Sequence, residues 1–277
     1  MMETDQSILV ATDLSARSDR AVDRAALLAE RAKVRLFICH VVEPGSKLAH
    51  DDGLAKAAVQ AVLPNTPADI EILVKEGSAP EVILEQAQQN GCGLILTGVA
   101  RFNQLGDYFI GTAVDRIIRE AAAPVLVVKQ RPRSDYRMIV VATDFSTCSR
   151  HALVTAGTLF PTAAIHLVHA FHVPFEGFLS VEENEPAFRA EVQGEFDSFL
   201  GDAAIPPGLR ERLTSHLRYG ETQSIVQKVA HELDADLVVL GTHGRSGFSK
   251  AVFGSMAESV LQCVTSDTMV IREPTGG

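Results

Sequence analysis

The feature that most constrains this chain's fold is that it carries one pattern twice. Ile8-Leu9-Val10-Ala11-Thr12-Asp13-Leu14-Ser15 recurs 131 residues later as Ile139-Val140-Val141-Ala142-Thr143-Asp144-Phe145-Ser146. A second apolar run, Leu36 to Val42, recurs as Ile165 to Phe171, and a third, Leu94 to Gly98, as Val238 to Gly241. Pro124 to Val128 and Thr268 to Ile271 close the two copies. Four matched elements in one order make an internal duplication. The offset grows from 131 at Asp13/Asp144 to 143 at Gly98/Gly241, which puts 12 extra residues in the second copy. The acidic stretch from Pro174 to Glu195 is the expected place for them.

Helical periodicity fills the intervals. Val22, Ala25, Ala26, Ala29 and Ala32 share one face, with Ser15 or Ser18 available as a cap; Ile110, Val114, Ile117, Ile118 and Ala121 repeat the spacing, matched by Val252, Met256, Val260 and Val264. Short apolar strands alternating with helices imply right-handed βαβ crossovers and a parallel sheet covered on both faces. The expected fold is α/β, two tandem doubly wound, Rossmann-like domains with mostly parallel five-stranded sheets. Lys129 to Asp135, polar and Pro-containing, separates an expected domain over 1–130 from one over 136–277.

Charge and composition exclude several classes. With 35 acidic and 25 basic residues the net charge is -10, so the chain has no cationic footprint for nucleic acid or for anionic membrane surfaces. Its longest apolar runs are about the size of Ala121 to Val128, far below the roughly 18 residues of a membrane span. The start, Met1 to Gln6, lacks the basic and apolar regions of a secretory signal, which gives a cytosolic expectation. The four cysteines are scattered without metal-ligand spacing and read as reduced, buried thiols; Cys148 stays open because it falls near the expected site. Residues 1–134 carry a charge of -2 and residues 135–277 carry -8, with eight acids between Glu176 and Asp202. That stretch reads as a solvated face or as a docking surface for a basic partner.

In an open parallel sheet a ligand binds beyond the carboxyl ends of the strands, at the switch in strand order. Immediately after the Val238 to Leu240 strand comes Gly241-Thr242-His243-Gly244-Arg245-Ser246-Gly247, and Gly254-Ser255 follows Gly244 after a spacer of nine residues, at the head of the last helix. Glycines permit close backbone approach and the first amides of a helix point at anions, an arrangement suited to a phosphate chain.

Gly241, Gly244, Gly254 and Ser255, at these spacings, make the chain resemble the nucleotide-binding members of the universal stress protein family. The resemblance extends over both copies and includes the strand-end Ala142-Thr143-Asp144 and the Leu167-Val168-His169 of the second strand. It implies two domains of the adenine nucleotide alpha hydrolase-like type and ATP as cofactor, accompanied by Mg. By the same resemblance Asp144 lies at the ribose and Ala170 against adenine. The Gly241 to Arg245 loop would then hold the inner phosphates, and Gly254, Ser255 and Met256 the outer ones. An acid suits the sugar end, since it accepts from hydroxyls and repels phosphate. Arg245 reads equally well as a charge for the phosphates or as a solvated loop arginine.

The first copy departs from the pattern. Its segment runs Gly98-Val99-Ala100-Arg101 and, after a spacer of nine residues, Gly111-Thr112, so Arg101 replaces the central glycine. Weak or absent ATP binding is expected there, with a different small ligand as the minority reading; Asp13 and Val41 persist. His40 and His169 read as satisfied core or pocket-floor residues, and the spacing of His166, His169 and His172 does not suit a zinc cluster. His243 falls in the phosphate loop, with no identifiable partner to make it a base. No P-loop, pyrophosphatase loop, nucleotidyltransferase motif or nucleophile elbow is present, so no catalytic residue and no protein metal ligand is assigned.

The expected function is a nucleotide-dependent stress-response regulator that binds ATP in its second domain. The alternatives are a slow ATPase or phosphotransferase using Ser255 or His243, and a scaffold without ligand. In single-domain members of the resembled family the last strand pairs across a two-fold axis. This chain is therefore expected to pair Val125 to Val128 with Met269 to Ile271 internally, as a pseudo-dimer that protects its edges, with homodimerisation left open.

Overall fold

A computed structural model describes residues 6–42, 45, 51–63, 69–99, 101–102, 108–109, 111–172, 181–242 and 254–273. The first half runs β1 (Ser7–Thr12), α1 (Ser18–Ala32), β2 (Leu36–Val42), α2 (Asp52–Ala61), β3 (Ile70–Glu76), α3 (Ala79–Gln89), β4 (Cys92–Gly98), β5 (Arg101–Phe102), β6 (Tyr108–Phe109), α4 (Thr112–Glu120) and β7 (Val125–Val128). The second runs β8 (Met138–Ala142), α5 (Thr147–Leu159), β9 (Ala164–Phe171), α6 (Val181–Gly201), α7 (Pro207–Arg210), β10 (Leu213–Tyr219), α8 (Thr222–Glu232), β11 (Leu237–Gly241), α9 (Ser255–Cys263) and β12 (Asp267–Ile271).

The runs that read as doubly buried strands are so. Ile8, Leu9, Val10, Ile139, Val140 and Val141 are fully buried in β1 and β8, the middle strands of the two halves, because helices cover both faces. One core packs α1 and α5 on one face of the sheet, with Val22, Ala25, Ala152 and Ala156 against Ile8, Leu36, Ile139 and Ile165. The other packs α3, α4, α8 and α9 on the opposite face through Ile83, Ile117, Val226 and Val260. Each half has parallel strand order 3-2-1-4-5, and the ten strands form one sheet, β10-β9-β8-β11-β12-β7-β4-β1-β2-β3. Only β12 and β7, among the described strands of that sheet, run antiparallel, with Thr268, Met269 and Val270 opposite Val127, Leu126 and Val125. This is the internal pairing expected of the two closing strands. It covers the edges of both closing strands, while β3 and β10 form the outer edges of the ten-stranded sheet.

The seam is fastened by polar groups that cross it. Lys129, fully buried at the end of β7, donates from Nζ to the carbonyls of Leu261 (2.6 Å) and Val264 (2.8 Å) and to Thr268 Oγ1 (3.1 Å). It thereby caps the carbonyl end of α9 in the other half. The counterpart Arg272, after β12, donates to the Arg119 carbonyl at the end of α4 (2.9 Å). Each half thus supplies a cation to the last turn of the other's final helix. Buried Asp267 accepts from the backbone N–H of Lys129 (2.7 Å) and Gln130 (2.8 Å) and from the Tyr136 hydroxyl. Arg24 lies 3.6 Å from the same carboxylate and over the Tyr136 ring.

Several expectations need revision. Met256, assigned to the buried stripe of its helix, is 43% exposed, whereas Val260 and Val264 are buried. Ala32 is half-buried at the end of α1, and Ile110 and Val252 lie outside the described residues. Cys148 sits in the first turn of α5, buried with its Sγ against the Ile271 carbonyl; all four thiols are free and buried. The halves differ where the extra residues were placed, α6 having 21 residues against 10 in α2. The hairpin of β5 and β6 carried no sequence expectation.

Candidate functional site

The strand order reverses between β1 and β4 and again between β8 and β11, and at each switch a cleft opens beyond the strands' carboxyl ends. The cleft of the second half has a volume of about 170 Å³ and is bordered by Ala142, Thr143, Asp144, Ala170, Gly241, Gly254 and Met256. Seven of the ten anticipated residues therefore meet there. Ser255 is exposed at the start of α9 rather than on the cleft wall, and Gly244 and Arg245, with His243, lie outside the described residues.

The turn after β8 is built to hold Asp144. Its Oδ1 accepts from Ser146 N–H (3.1 Å), Thr143 Oγ1 accepts from Phe145 N–H (3.0 Å), and Thr143 and Ser149 hydroxyls meet at 2.9 Å. These bonds hold Phe145 in the left-handed region at φ 64°, a conformation that costs a bulky residue energy and that packing must offset. The packing is a stack on His169, with ring centroids 4.1 Å apart. His169 Nδ1 donates to the Thr143 carbonyl (2.7 Å), closing the turn from the neighbouring strand. The first half repeats the device: Leu14 has φ 60°, Asp13 Oδ1 accepts from Ser15 N–H (3.0 Å), and His40 Nδ1 donates to the Thr12 carbonyl (2.9 Å).

Gly241 has a packing reason for lacking a side chain. A Cβ there would stand 2.8 Å from Cys148 Sγ, so this glycine lets α5 approach the end of β11. Gly254 has ordinary φ (-63°); it donates to the Thr242 carbonyl (3.0 Å), and a Cβ would crowd that oxygen at 3.2 Å. It fixes where α9 begins. Among the described residues no side chain caps α9, whose first turn borders the cleft at Gly254, Met256 and Ala257. Leu240, Ala257 and Val260 make the wall apolar. Thr222 and Ser149, which also border the cleft, were not anticipated. Thr222 had a signal in the shared Gly77/Gly220, whose φ values of 145° and 133° open α3 and α8 alike.

The first half's cleft has a volume of about 330 Å³ and is bordered by Thr12, Asp13, Cys39, Val41, Thr97 and the Gly111 to Val114 start of α4. Burial pushes the Asp13 carboxyl upward, but hydrogen bonds from Ser15 and Ser18 and the Arg17 charge outweigh it and hold the group below the usual range. Among the described residues no three His, Cys, Asp or Glu side chains cluster to hold a metal, and no helix is long and apolar enough to cross a membrane.

The chain matches the model of the Universal stress protein family twice, over residues 6–129 and 135–272. Universal stress protein E of Escherichia coli (strain K12) is 24% identical over 96% of this chain and 94% of its own length. A universal stress protein of Mycolicibacterium smegmatis is 25% identical over 97% and 98%. Among solved structures, a putative universal stress protein of Pseudomonas aeruginosa UCBPP-PA14 (TM-score 0.68, 23% identity, 96% and 93% covered) has a similar fold. So does one from Archaeoglobus fulgidus DSM 4304 (0.67, 17%, 98% and 99%). With both halves matched and the doubly wound fold in place, the chain belongs to the universal stress protein family, with two copies of the domain in tandem.

Proposed function

We propose that the second half binds ATP and that the protein acts as a nucleotide-dependent regulator. The observation that supports this most is the meeting, in one cleft, of a carboxylate fixed by its own turn and a helix start that no described side chain caps. Asp144 accepts from the ribose hydroxyls and Ala170 lies against adenine. The loop from Gly241 through Gly244 and Arg245 borders the inner phosphates. The Gly254, Ser255 and Met256 amides, with the Ser255 hydroxyl, take the outer ones. Mg²⁺ fits as an ion carried mainly by the phosphates and water, which needs no all-protein cage. Gly241 contributes by letting α5 and β11 close behind the site, which sets the width of the cleft.

Denaturing the purified protein and identifying released nucleotide by mass spectrometry tests this reading. ATP is expected at near-stoichiometric amount from the wild type and about tenfold less from Asp144→Ala. Absence of adenine nucleotide from the wild type, with no uptake on dialysis against Mg-ATP, contradicts it. Phosphate release abolished by Ser255→Ala would instead favour the slow phosphotransfer reading.

A further inference from the structure

We infer that the cavity between the end of α1 and the end of α5 is a binding site for a flat, apolar, bicyclic heteroaromatic that carries one hydrogen-bond donor. This cavity, of about 280 Å³, is bordered by both halves and by the segment that joins them, and it shares no wall residue with either cleft. Its floor is apolar: Ile8 and Leu94 from the starts of β1 and β4, Leu28 from α1, and the rings of Tyr136 and Phe160. Folded interiors leave few voids larger than a water molecule, and water on such a floor lacks the several polar partners it needs. An apolar space of this size where two halves meet, with polar groups only at its rim, has the character of a ligand pocket.

Size, shape and polarity define the occupant. An apolar cavity of about 150 Å³ takes benzene, so this one has room for a second fused ring. Tyr136 and Phe160 meet edge to face with centroids 5.3 Å apart, and Arg24 already covers one face of Tyr136, so an aromatic guest extends the cluster against Phe160. The polarity is set by Asp135 at the rim. Its Oδ1 is shut away from solvent and, among the described residues, accepts no hydrogen bond; Arg31 Nε, 3.3 Å away, balances its charge without donating to it. A buried acceptor left unmet costs free energy, and an N–H on the guest removes that cost. The Tyr136 hydroxyl cannot serve as that donor, being committed to Asp267. A carboxylate guest fits badly: it brings a further acceptor to a place that lacks a donor, Asp135 repels it, and the neighbouring cation is already paired.

The test is equilibrium dialysis of the full chain against indole, with bound indole read from its emission, since the chain has no tryptophan. Two probes run beside it: 1-methylindole, which keeps the rings and loses the N–H, and decanoate, an apolar carboxylate. Expected is one indole per chain, unchanged by saturating Mg-ATP, with 1-methylindole about tenfold weaker and decanoate weaker still. Asp135→Ala, a change at the rim, should weaken indole about tenfold and abolish its advantage over 1-methylindole. Leu28→Trp, which fills the cavity, should abolish the binding of both; should that variant fail to fold, the Asp135→Ala comparison decides alone. No indole binding up to its solubility limit, 1-methylindole as tight as indole, decanoate tighter than indole, or indole affinity untouched by Asp135→Ala would each overturn the inference. Displacement of indole by Mg-ATP would put it in a nucleotide cleft and overturn the inference as well.

Discussion

Replacing Lys129 by methionine keeps most of the side chain's volume and deletes the ammonium that the first half extends into the end of α9. Two carbonyls, Leu261 and Val264, lose their donor inside a fully buried seam. An unsatisfied buried carbonyl costs about 1–3 kcal/mol, and relief from burying a cation offsets part of that, so a net loss of about 2 kcal/mol is expected at pH 6.5. The loss should grow with pH. Burial lowers the Lys129 amine to about 7, against the upward pull of Asp267, while the unfolded chain holds the ordinary lysine value of 10.5. Between those values the unfolded state binds more protons, so wild-type stability gains about 1.4 kcal/mol per pH unit, a gain Lys129→Met lacks. From pH 6.5 to 8.5 the gap between the two proteins should widen by about 2 kcal/mol. The neutral amine still has two N–H groups for the two carbonyls and a lone pair facing Thr268 Oγ1. The chain has no tryptophan, so urea unfolding followed by far-ultraviolet circular dichroism at the two pH values is the assay. A gap that stays constant or narrows across that range would refute the reasoning.

Three further perturbations are sharply defined. Gly241→Ala should cost about 1–3 kcal/mol by forcing a Cβ against Cys148 Sγ, and combining it with Cys148→Ala should recover about 1 kcal/mol or more in a double-mutant cycle; simple additivity would remove the packing role assigned to Gly241. Burial pushes the Cys39 thiol up to about 12 and the Cys92 thiol up to about 11, so a disulfide reagent at pH 8 should label them no faster than the protein opens, and fast labelling of either in the native state would contradict their burial. Met256→Ala should change stability by no more than about 0.5 kcal/mol because the side chain is exposed, a result that a large loss on thermal melting would overturn.

The duplication made the core of each half readable, because strands buried on both faces appear as uninterrupted apolar runs. Ile70–Glu76 and Leu213–Tyr219 gave no such signal: as the outer edges of the sheet they interleave Glu71, Lys75, Thr214 and Arg218 with apolar residues, and neither was matched across the copies. The closing strands were readable as partners since Val125–Val128 is apolar throughout and β12 ends in the apolar run Met269 to Ile271. Lys129 read as part of the polar separator and Asp267 carried no expectation, for only the three-dimensional crossing of the halves reveals that each meets acceptors or donors more than a hundred residues away. At the site, the resemblance named Asp144 and Ala170 and the motif spacing named Gly254, and the structure brings the three to the border of one cleft. The packing role of Gly241 was not, because a glycine that admits a helix and a glycine that admits a phosphate are the same letter.

The claim that the second half alone carries the triphosphate site is tested most directly by calorimetric titration of Mg-ATP into the full chain and into Gly254→Trp and Gly111→Trp. One ATP per chain is expected for the wild type and for Gly111→Trp, and none for Gly254→Trp, whose indole would occupy the start of α9. Two sites in the wild type, or loss of ATP binding in Gly111→Trp with Gly254→Trp unaffected, would contradict it.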